Sequence, residues 1–116
     1  MGRLQEILEN NRLILAEGAV VEILRRSGTV ELHPELVHAH LIYDPRGAEE
    51  LAVIFNSYIA VAKKHGLPFI MCAPTWRANR DNIRNAGIQE SVNADALQFM
   101  NRLRMATGDF AKNILI

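Results

Sequence analysis

Thr75, Trp76, Arg77 and Asn79 stand together in Ala73-Pro74-Thr75-Trp76-Arg77-Ala78-Asn79, directly after the apolar run Leu67-Pro68-Phe69-Ile70-Met71-Cys72. A hydroxyl, an indole, a guanidinium and an amide thus collect where a short apolar strand ends, and parallel α/β folds present binding groups at that place. Arg77 offers a two-pronged fork to a carboxylate. The competing reading has Trp76 packed over the end of the sheet, Arg77 solvated, and Thr75 or Asn79 capping the next helix. The same arrangement occurs earlier, where Arg12-Leu13-Ile14-Leu15-Ala16 runs into Glu17-Gly18 and then into Ala19-Val20-Val21-Glu22-Ile23-Leu24-Arg25-Arg26. Glu17 is the first polar side chain past that strand, and Gly18 supplies a permissive backbone for the turn. The Glu17 carboxylate either faces a ligand or caps the following helix, whose dipole favours a negative charge.

Other chemistry is weakly marked. His33, His38 and His40 are close in sequence, but no carboxylate-histidine helix motif accompanies them, and they read as ordinary surface or partly buried histidines. Cys72 is the single cysteine. It has no internal disulfide partner and cannot build a thiolate-rich metal site; inside an apolar strand it reads as a packed thiol. No Ser-His-Asp order, phosphate-binding glycine loop or pair of catalytic carboxylates stands out.

The elements that must position these groups alternate between helix and strand. Leu4, Ile7 and Leu8 give a short leading helix over 2–11, stopped by Asn10-Asn11. A strand over Arg12 to Ala16 and a helix over Ala19 to Arg26, ended by Ser27-Gly28, form the first βα unit. The segment 29–46 is irregular: Pro34 opens a short helix over Glu35 to Ala39, and Asp44-Pro45-Arg46-Gly47 reads as a turn. A long amphipathic helix follows from Ala48 to His65, with Lys63, Lys64 and His65 in its last turn and Gly66 beyond. The second strand covers Leu67 to Ala73, the next helix Ala78 to Asn85, and Asn93 caps a helix over Ala94 to Met105. Lys112 to Ile116 is the third strand. Helices between apolar strands imply parallel pairing through crossovers.

The chain has 116 residues, 49% of them hydrophobic, which suits one domain with a packed core. Thirteen basic residues balance thirteen acidic ones, so no global field draws in nucleic acid or an anionic membrane. No apolar run approaches the roughly 20 residues of a membrane span, and no apolar signal-peptide core follows the first charges. The expectation is a cytoplasmic protein. Three apolar strands alone leave hydrophobic sheet edges, which points to a homo-oligomer or a complementary chain that covers them.

Leu13-Ile14-Leu15-Ala16-Glu17-Gly18-Ala19 with Glu22, the helix end from Tyr58 to Gly66, the 73–79 stretch, and Val92-Asn93-Ala94 together resemble the homocysteine S-methyltransferase family. The resemblance implies an α/β fold, the N-terminal portion of a (βα)8 TIM-type barrel with parallel strands and surrounding helices, in which residues 1–116 are one partial domain holding about the first three strands. It also implies methyl transfer to the sulfur of homocysteine or a related thiol, with Glu17, Gly18, Thr75, Trp76, Arg77 and Asn79 binding that amino acid and Glu17 receiving its amino group. Glu17 stands where the family usually has Asp, Trp76 where Tyr or Phe is common, and Asn79 where Ser is frequent. The family's zinc is held by three cysteine thiolates from the C-terminal half of the barrel, so zinc is expected in a complete family member and neither a metal nor a catalytic residue in this chain. On this reading the chain is a truncated product or one half of a split enzyme, inactive alone. The alternative is a non-catalytic binding or assembly module that oligomerises through its sheet edges.

Overall fold

A computed structural model describes residues 2–116, which form an α/β chain around a small parallel sheet. Helix α1 (Arg3–Asn10) leads into strand β1 (Leu15–Ala16) and helix α2 (Val20–Ser27); an irregular segment with a 3₁₀ turn at Ala39–Tyr43 precedes helix α3 (Pro45–His65). Strand β2 (Phe69–Ile70), helices α4 (Arg80–Asn85) and α5 (Val92–Met105), a 3₁₀ turn at Gly108–Asn113 and strand β3 (Ile114–Leu115) complete it. The sheet order is β1-β2-β3, with Leu15 opposite Phe69 and Phe69 opposite Ile114. Sequential parallel neighbours joined by helices are the pattern expected of successive βα units.

The long helix exists because both its ends are closed. Asp44 accepts the Gly47 N–H on Oδ2 at 2.7 Å and Pro45 occupies the first turn, where its missing donor costs nothing. At the far end Gly66 takes φ +63° and returns its N–H to the helix carbonyls. Asp44 to Gly47 is therefore a helix start and not the turn expected from its sequence. Leu51, Ile54, Phe55 and Ile59 recur at helical spacing on the buried face of α3 and meet Phe69, Met71 and Ile114 from the sheet and Phe99 and Met100 from α5. Each such side chain contributes roughly 1.5–3 kcal/mol through its removal from water, so α3 is the element that fixes the sheet.

Side chains alternate across a strand. The row Leu15, Phe69, Ile114 packs into the core under the helices. Its alternate, Ala16, Ile70, Leu115, turns to the opposite face, and none of the three is buried. The sheet is covered on one side only.

Three local expectations change. The helix placed over Glu35 to Ala39 is a turn closed by paired backbone bonds between His33 and Val37, and helical structure starts only at Ala39. Asn93 does not cap α5; Ser91 precedes the helix, and the Asn93 amide donates to the Ala78 carbonyl at 3.0 Å. That bond ties α5 to the loop after β2, beside a second small core of Leu36, Ala39, Ala78 and Val92. Cys72 is exposed: burial alternates from Phe69 to Cys72, with Phe69 and Met71 in the core and Ile70 and Cys72 on the other side. No helix of the described residues is long and apolar enough to cross a membrane.

Candidate ligand pocket at the strand ends

β1 and β2 end side by side, and the residues after them reach across the gap. The Glu17 carboxylate follows β1 and accepts the backbone N–H of Cys72 on Oε1 at 2.9 Å, in the first residues beyond β2. Its other oxygen, Oε2, is buried with no hydrogen-bond partner. Ala19 precedes α2 and no side chain caps that helix, so Glu17 is committed to the strand ends and not to the helix. Gly18 has a packing reason to lack a side chain: a Cβ there would lie 2.8 Å from the Tyr58 hydroxyl.

These groups border an open pocket of about 680 Å³, lined by Glu17, Gly18, the first turn of α2, Cys72, Thr75 and Trp76. Of the residues singled out in the sequence, Glu17, Gly18, Thr75 and Trp76 are thus brought together. Arg77 and Asn79 do not line the pocket. The Arg77 guanidinium lies 5.1 Å from the centre of the Trp76 ring, a cation–π stack on an indole that is itself 67% exposed. Asn79 caps α4 by accepting the Asn82 N–H at 2.9 Å.

Three further polar residues of the wall come from elsewhere. Glu22 and Arg25, one turn apart on α2, form an ion pair at the pocket edge. His38 also lines the pocket; it is 6% exposed, and its Nδ1 has no hydrogen-bond partner. Its place among Leu36, Val37, Ala39 and Leu41, a stretch that also holds His40, was the available signal for its burial.

The electrostatics follow from burial and neighbours. Burial lowers His38 to about 4, assisted by the nearby His40, so its imidazole is neutral at pH 7. Burial also pushes the Cys72 thiol up, and the charge and hydrogen bonding of Glu17 push it further. The pocket wall therefore holds the Glu17 carboxylate, a neutral imidazole and a protonated thiol. That set binds hydrogen-bond donors and does not carry an activated nucleophile.

Compared with protein-family models, with curated proteins and with solved structures, the chain matches none of them. The three-thiolate zinc of the family it resembles does not fit these residues: the sequence has one cysteine, and among the described residues no three His, Cys, Asp or Glu side chains are grouped to hold a metal ion.

Proposed function

We propose that the strand-end pocket binds an amino-acid thiol, homocysteine or a close relative, and that the chain is a partial barrel of the homocysteine S-methyltransferase type. The observation that carries this reading is the Glu17 carboxylate in the pocket wall, held there by the bond from the Cys72 N–H to its Oε1. A carboxylate in a pocket wall is a charged acceptor that suits a ligand ammonium. The parallel order of three successive strands, with the polar groups collected after β1 and β2, supports the barrel comparison. In this reading the chain's own residues bind and orient the amino acid, while thiolates for a zinc centre come from residues outside these 116.

The reading is tested by calorimetric titration of the chain with L-homocysteine. Saturable binding that weakens about tenfold or more in Glu17→Gln supports it; heat of dilution alone with the unmodified chain removes it.

A second reading, a non-catalytic assembly module, draws on the uncovered sheet face at Ala16, Ile70 and Leu115 and on the two strands, β1 and β3, that each pair on one side only. A partner strand at either edge would complete the hydrogen bonding of that edge and cover apolar surface. Sedimentation of the chain with and without homocysteine separates the two, since assembly through the edges needs no ligand.

A further inference from the structure

The turn that leads into His38 is held shut by another histidine. Nδ1 of His33 accepts the backbone N–H of Glu35 at 3.0 Å and that of Leu36 at 3.2 Å, while His33 and Val37 exchange N–H···O bonds of 2.8 and 2.9 Å. Together these bonds hold Val37 at φ +59°, a region unfavourable for a β-branched residue. Such a conformation persists only where its surroundings enforce it. The turn also places two buried side chains: Leu36 in the second core with Ala39, Ala78 and Val92, and His38 in the wall of the strand-end pocket.

Two N–H groups on one ring nitrogen fix the tautomer of His33. With Nδ1 accepting, the neutral ring carries its proton on Nε2, so a second proton has only Nδ1 to go to. A protonated Nδ1 is a donor facing two donors. The closed turn and the imidazolium therefore exclude each other. His33 is half-buried and lines a second open pocket of about 440 Å³, whose wall also holds His40 and Tyr43 from the 3₁₀ turn, Asp44 from the start of α3, and Glu90 from the loop before α5. The His40 ring has its centre 5.3 Å from that of His33. Burial, and next the charge of His33, lower the pKa of His40 against the hydrogen bond to the Glu31 backbone and the charges of Asp44 and Glu31, so a proton on one ring disfavours a second on the other. Asp44 accepts the Gly47 N–H, and Tyr43 donates to Asp95 of α5 at 2.6 Å. The carboxylates of this wall favour a cation at His33, yet none of them supplies the acceptor that the Glu35 and Leu36 N–H groups would lose.

We infer that His33 is a proton-operated latch: neutral, it closes the 33–37 turn, and protonated, it releases the turn and with it Leu36 and the pocket wall at His38. Histidine is the side chain whose charge changes between about pH 5 and 8. Release also frees the backbone at Val37 from its unfavourable region. The latch does not depend on what the strand-end pocket binds.

The experiment follows the whole ¹⁵N-labelled chain by NMR from about pH 8 to about pH 5. At the upper end the His33 ring should carry a proton on Nε2 and none on Nδ1. As the ring takes its second proton, the amides of Glu35 and Leu36 should lose about tenfold or more of their protection from hydrogen exchange, corrected for the intrinsic rate, with the same midpoint. His33→Asn keeps a side-chain acceptor for the two N–H groups and does not titrate, so its amides should stay protected throughout. His33→Phe has no acceptor, and its amides should be unprotected throughout. In His38→Asn the transition should remain. Protection that survives protonation of His33 overturns the latch, as does a ring that stays neutral over the whole range. A transition that persists in His33→Asn or disappears in His38→Asn overturns it by assigning the change to other groups. The ring and amide signals are read on the unmodified chain, so they decide the matter even if His33→Phe fails to fold.

Discussion

One oxygen of Glu17 binds the backbone N–H of Cys72 at 2.9 Å, so a single carboxylate joins the end of β1 to the end of β2. The same residue bears on the chemistry of the cysteine: burial first, and then the Glu17 charge, oppose formation of a thiolate there.

Cys72 is therefore exposed yet slow. In Glu17→Gln the amide oxygen can still accept the Cys72 N–H, but the negative charge is gone, and the thiol loses one cause of its raised pKa. The rate of alkylation by iodoacetamide, followed from pH 7 to 9, should rise severalfold in the variant, with its midpoint moved to lower pH. An unchanged rate profile would show that burial alone controls the thiol.

Glu17→Ala and Arg77→Ala should separate in homocysteine binding. Glu17→Ala removes the acceptor from the pocket and should weaken binding about tenfold or more. Arg77, stacked on Trp76 outside the pocket, should change affinity by less than about threefold, in keeping with an exposed cation–π contact worth ~0.5–1 kcal/mol to the loop rather than to a ligand. Calorimetry on the two variants, with thermal melts to confirm folding, distinguishes them; a larger loss in Arg77→Ala would place the carboxylate fork in the site after all.

His38 should make the fold acid-sensitive. Its pKa is about 4 in the folded chain against an ordinary 6.5, so the unfolded chain binds the proton first as pH falls. The contribution of the neutral imidazole is thus fully present above about 6.5 and is lost as pH drops toward 4, by roughly 3 kcal/mol over that window. His38→Asn should flatten this part of the profile in denaturant titrations at pH 4.5 and 7. Equal acid sensitivity in the variant would assign the effect to other groups.

Gly47 is the tightest glycine of the core. A Cβ there would stand 2.8–2.9 Å from Leu41, its carbonyl oxygen included, where the 3₁₀ turn crosses the first turn of α3. Gly47→Ala should cost about 1–3 kcal/mol through overpacking, despite the gain in helix propensity. A melting temperature at or above that of the unmodified chain would mean the turn relaxes freely.

Self-association is expected from surface that no part of the chain covers. The open sheet face, the outer edges of β1 and β3, and Leu4 and Leu8 on α1, a helix with no buried residue, all present apolar groups or unpaired backbone to water. Sedimentation across a concentration series should show reversible oligomers, and an Ile70→Lys change on the open face should shift them toward monomer. A cooperative monomer at every concentration would contradict the partial-barrel account.

The sequence by itself determined the alternation of helix and strand, the parallel sense of the sheet, and the end of α3. Each depends on local chemistry: apolar runs of strand length, helical spacing from Leu51 to Ala62, and Gly66 behind three cations. It also drew Glu17 and the 73–79 stretch out as polar groups at strand ends, since that transition is written in adjacent residues. The tertiary structure decided which of those groups share a pocket. Arg77 and Asn79 leave it because adjacent partners compete for them, the indole of Trp76 and the start of α4. Local pattern also misplaced Asn93, whose amide is claimed by a carbonyl 15 positions earlier, and Cys72, which alternates with the buried Met71 onto the other side of the chain. His38 is the clearest case: the sequence sets it among apolar residues beside His40, and only the packing of the turn that follows it against α3 and α5 places it in the wall of Glu17's pocket. The burial of His38 and the partner of Asn93 come from distant segments meeting, and no spacing within one segment encodes them.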